Sequence, residues 1–82
     1  MAKQTANEAY QRHQDDVGAL LDLLGEEVRR AAECAKQDGI DWAKTGDLAH
    51  LRKGLLIALA QFAQQDEAFI VKHLDEMREG RE

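Results

Sequence analysis

Apolar side chains recur through the second half of the chain at Leu48, Leu51, Leu55, Leu59, Phe62, Phe69, Ile70, Leu74 and Met77. Steps of three, four and seven place them on one stripe of a helix. Ile57 and Val71 fall roughly opposite that stripe, so a single partner helix does not cover the whole apolar surface. The pattern predicts a helix over about 48–79, with Gly80 as its stop.

The first half has a similar rhythm. Tyr10, Val17, Leu21, Leu24, Val28, Ala31 and Ala35 form a stripe close to heptad spacing, with a shoulder of Ala19, Leu20, Leu23 and Cys34. Thr5-Ala-Asn-Glu8 reads as a capping box, in which hydroxyl and carboxylate satisfy amides at the helix start. A helix over about 6–38 follows. Gly18, Gly25 and Ala32 are spaced by seven, and each mid-helix glycine costs up to about 1 kcal/mol relative to alanine. That spacing predicts another helix passing close by.

Between the helices, 39–47 is expected to be the connection. Gly39 suits a left-handed cap with Ile40 folded back in a Schellman motif. Asp41 starts at most one turn, Gly46 breaks it, and Asp47 (with Thr45 as alternative) caps the second helix. Two long helices on a short connection lie antiparallel. The fold expected for residues 1–82 is therefore all-α, a single helical-hairpin domain. Folding about residue 43 pairs Leu24 with Phe62, Val28 with Ala58, Val17 with Phe69 and Tyr10 with Met77.

A bare hairpin buries one seam, and these helices are apolar over more than one. Leu20, Leu23, Ile57 and Val71 would remain wet, at a cost of about 1.5–3 kcal/mol each. The expectation is a homodimer forming a four-helix bundle, with twofold symmetry and an antiparallel arrangement. These four residues, with Trp42, are the candidate interface.

Composition narrows the class of protein. Eighty-two residues lie near the size at which one core barely suffices, and the lone Cys34 excludes an intrachain disulfide. The absence of proline and the 44% hydrophobic content fit an all-helical chain. A net charge of −5 argues against a nucleic-acid footprint. Within 23–62 six basic residues match six acidic ones, so the whole −5 resides in the two ends. The basic residues near the bend read as a salt-bridged surface, Glu26 with Arg30 among them. A polar opening segment, a free thiol and the lack of an apolar run of about 18 residues point to the cytoplasm and away from a membrane.

Candidate chemistry is sparse. Trp42 in the connection is read as a ring covering the open end of the core, with partner anchoring as the alternative. Asp66 interrupts the apolar stripe, so burial requires a partner such as Arg12 or His73. The hairpin register brings His13 near His73, and with Asp16 and Asp66 nearby they resemble a metal or proton-switch site. Two partly exposed histidines are the simpler reading. Asp47 and His50 have ligand-compatible spacing, which the capping role of Asp47 explains. Cys34 is read as ordinarily buried. No phosphate loop, nucleophile elbow or zinc-type cysteine pair is present.

In outline, with Trp42 at a bend between two helices, the chain resembles the small secreted helical-hairpin family of WXG proteins. Three residues separate Trp42 from Gly46 where that family has one, and no export signal stands near Phe69 to His73. The chain is not assigned to it. The expected function is a non-enzymatic interaction or regulatory module, a homodimer that needs no cofactor and also accommodates another protein. The alternative is a metal- or pH-responsive bundle using His13, His73 and Asp66.

Overall fold

Thr5 sets the start of the first helix. Its backbone is extended (φ −74°, ψ 162°), and its Oγ1 accepts the Glu8 amide at 3.1 Å. The same hydroxyl donates to Glu8 Oε1 at 3.2 Å. The capping box is thus closed through the hydroxyl rather than through the Thr5 amide, and Glu8 still occupies the first turn, where the helix dipole favours an anion. The computed structural model describes residues 5–80. They form three α-helices and no strand: α1 (Ala6–Asp38), α2 (Trp42–Ala63) and α3 (Glu67–Glu79). The chain divides between Ile40 and Asp41 into two units, one carrying α1 and the other α2 and α3.

In the first unit, α1 is 33 residues, about 50 Å at 1.5 Å per residue. It ends at Gly39, whose amide donates to the Ala35 carbonyl at 2.8 Å. Gly39 has φ 90°, which a side chain would strain, but its ψ of 162° is extended rather than left-handed helical. This is not the left-handed helical conformation that a Schellman cap uses. Ile40 is exposed, and the expected Schellman contact is not made. A Cβ at Gly18 would meet nothing within 4 Å, and one at Gly25 only the Arg29 guanidinium.

The second unit differs more from expectation. Its helix begins at Trp42, because Asp41 is the N-cap and its Oδ1 accepts the Lys44 amide at 2.8 Å. The connection is three residues long rather than nine, Gly46 lies inside α2, and Asp47 is a mid-helix residue. Asp41 is the earlier of two capping candidates, and one glycine costs less than the five further helical residues return.

The long second helix is also broken. Gln64 takes a left-handed conformation (φ 56°, ψ 46°), its amide donating to Ala60, and Asp66 caps α3 by accepting the Ala68 amide at 3.3 Å. The break lets α3 pack against α2. Leu56 and Ala60, four apart on one face of α2, are 8% exposed, and Ile70 of α3 is 6% exposed. Val71 and Leu74 pack against this cluster. At its edge Lys53, one turn before Leu56, reaches Glu67 at 2.9 Å. The face Lys53–Leu56–Ala60 lies off the stripe that the sequence pattern favoured. Gly80 terminates α3 as expected.

Candidate interaction surface

On α1 no residue is buried. Val17, Leu20, Leu21, Leu23 and Val28 are exposed, while Leu24 and Ala35 are half-buried. Leu20 and Leu23, both named as interface candidates, are 62% and 57% exposed. Cys34, on the same shoulder, is a free, exposed thiol rather than a buried one. Surface ion pairs follow the helix: Lys36 with Glu33 at 3.6 Å, and Arg30 with Glu27, one residue nearer than the Glu26 partner expected.

The apolar residues of α2 surround its axis. Leu48, Leu55, Leu59 and Phe62 are exposed on one side, Ile57 is 37% exposed on another, and only Leu56 and Ala60 are buried. A helix apolar all round is normally buried all round. α3 covers one face of it, and Phe62 remains 92% exposed. Of the second pair of interface candidates, Ile57 thus lies on open surface, whereas Val71 already packs against the internal cluster and is half-buried.

Trp42 is 88% exposed at the first position of α2, so its ring covers no core. Asp41 as N-cap makes Trp42 the first residue of the helix. Asp66 is exposed and used as a cap, which accounts for a carboxylate in an apolar stripe without Arg12 or His73. Among the described residues no group of three or more histidine, cysteine or acidic side chains is placed to hold a metal ion; His13 belongs to the first unit, His73 and Asp66 to the second. Asp47 and His50 are both exposed on α2. A depression lined by Asn7, Glu8, Gln11 and Arg12 is built from one helix alone and lies open to solvent.

What the surface offers is therefore apolar contact. Among the described residues no helix is long and apolar enough to cross a membrane. The face buried by α3 was missed in the sequence because Leu56 and Ala60 sit within the nearly continuous apolar run Leu55–Ala60, where period alone does not separate one face from another. The Lys53, Leu56, Ala60 spacing of three and four was the available signal. Comparison with protein-family models, with curated proteins and with solved structures finds no match.

Proposed function

We propose that the chain is a small, non-enzymatic interaction or regulatory module that works as a homodimeric helical bundle. In each copy α1 turns back antiparallel to α2 about residues 39–41, and two copies complete a bundle. The observation that carries this reading is α2, apolar on all sides with one side covered. Val17, Leu20, Leu21, Leu23, Leu55, Ile57, Leu59 and Phe62 each retain a third or more of their exposure. Covering what remains contributes on the order of 1 kcal/mol per side chain. Over two copies that total rivals the association cost of about 4–15 kcal/mol.

A second copy is the favoured occupant because both parts of the surface are carried by every chain, so a twofold arrangement covers each with its equivalent. The acidic ends, which hold the whole net charge of −5, favour the antiparallel form that keeps them apart. The free, exposed Cys34 suits a reducing compartment, and the cytoplasm is the proposed location.

Sedimentation equilibrium of the full chain across the micromolar range tests the reading. A species of twice 9.2 kDa is expected. A single folded 9.2 kDa species at every concentration overturns it.

A further inference from the structure

The seven residues across the α2–α3 elbow, Gln61-Phe62-Ala63-Gln64-Gln65-Asp66-Glu67, include no glycine or proline. Glutamine, alanine and glutamate are good helix formers, and the apolar rhythm of Leu48, Leu55, Phe62 and Phe69 keeps a spacing of seven straight through the elbow. Apart from the Asp66 cap, nothing in the local sequence imposes the break. It requires Gln64 to adopt φ 56°, a region that a residue with a Cβ enters at a cost. What compensates is the cluster of Leu56, Ala60 and Ile70, with the exposed Lys53–Glu67 pair at its edge.

We infer that this elbow is a two-state joint. One state is closed, as described; in the other, residues 42–79 form one straight helix that presents a longer apolar stripe to a second copy. The joint rests on the elbow itself; its use in assembly rests on the proposed dimer. Ile70 and Leu74 connect the two. Both belong to the stripe that a straight helix displays and to the internal cluster of the closed unit, and they serve one at a time. Phe62 and Phe69, on either side of the elbow, are 92% and 61% exposed in the closed state. Length points the same way, since α2 spans about 33 Å against about 50 Å for α1, whereas a straight 42–79 helix spans about 57 Å. A copy that binds the long stripe favours the straight state by its differential affinity.

The test places spin labels at the exposed positions 50 and 76, with Cys34→Ser removing the native thiol, and dilutes the labelled chain into unlabelled chain. A straight helix separates these positions by about 39 Å, and the closed elbow gives a much shorter distance. The wild type is expected to show both. Gln64→Gly shifts the ratio toward the short distance about tenfold, since glycine is unstrained at positive φ and poor within a helix. Asp66→Ala removes the cap of α3 and shifts it about fivefold the other way. If Asp66→Ala lowers helix content by circular dichroism, Ile70→Ala, which weakens the cluster and leaves the cap intact, takes its place and must populate the long distance. A short distance unmoved by these variants, or one moved in the same direction by both Gln64→Gly and the second variant, overturns the joint. Sedimentation of the same samples separates the two proposals. A dimer whose short distance persists overturns the assembly role alone; two distances in a chain that stays monomeric overturn the dimer and leave the joint.

Discussion

Asp41 and Asp47 show how one residue sets where a helix begins. Both are acceptable N-caps six residues apart, and the chain uses the first, at 2.8 Å from the Lys44 amide. Asp41→Ala is expected to destabilise α2 by about 0.5–2 kcal/mol. Asp47→Ala, a change to a better helix former at an exposed mid-helix position, leaves stability unchanged or raises it by a few tenths of a kcal/mol. Thermal unfolding followed by circular dichroism distinguishes them, and an equal loss in both variants contradicts the assignment. The start at Asp41 also determines the position of Trp42. Its exposed indole is expected to emit at long wavelength and to be quenched freely by iodide in dilute solution. Trp42→Ala changes monomer stability by no more than about 0.5 kcal/mol. If Trp42 contributes to assembly, its emission moves to shorter wavelength as concentration rises.

Among the elements, α2 and α3 differ from α1 in having tertiary contacts of their own. Within its own unit, this 33-residue helix is held by its cap, its propensity and i,i+3 ion pairs, and such pairs contribute a few tenths of a kcal/mol each. The α2–α3 unit adds a cluster, and its parts are unequal. Ile70→Ala is expected to cost about 2 kcal/mol or more, because it empties the most buried position. Lys53→Ala costs less than about 1 kcal/mol, since the Lys53–Glu67 pair is well exposed to solvent. Chemical denaturation of the two variants checks the order; a larger loss for Lys53→Ala would show that the ion pair, not the apolar cluster, holds the elbow.

For the molecule as a whole, the proposed assembly depends on apolar surface that the units do not cover. Replacing Leu20 and Ile57 by serine is expected to leave helix content near the wild-type value at low concentration and to raise the dimer dissociation constant at least about tenfold. The reading is measured by sedimentation of the double variant beside the wild type. Val71→Ser makes a useful contrast, because Val71 packs against the internal cluster and its loss should weaken the fold before it weakens assembly.

The all-helical class, the capping box at Thr5, the end of α1 at Asp38 and the stop at Gly80 were legible in the sequence. Each depends on residues within a few positions of one another, and such local signals survive without a tertiary context. The start of α2, the elbow at Gln64 and the buried face of α2 were not. Periodicity through 48–77 favours an unbroken helix, and no glycine or proline marks the break. Only the contact of α3 with Leu56 and Ala60 makes a left-handed Gln64 worth its cost, and it turns Asp66 from an anomaly in an apolar stripe into a cap. The sequence by itself determined which segments are helical and that they carry much apolar surface. Which part of that surface is covered within the chain was decided by tertiary packing, because burial depends on residues ten to twenty positions apart that local pattern does not relate.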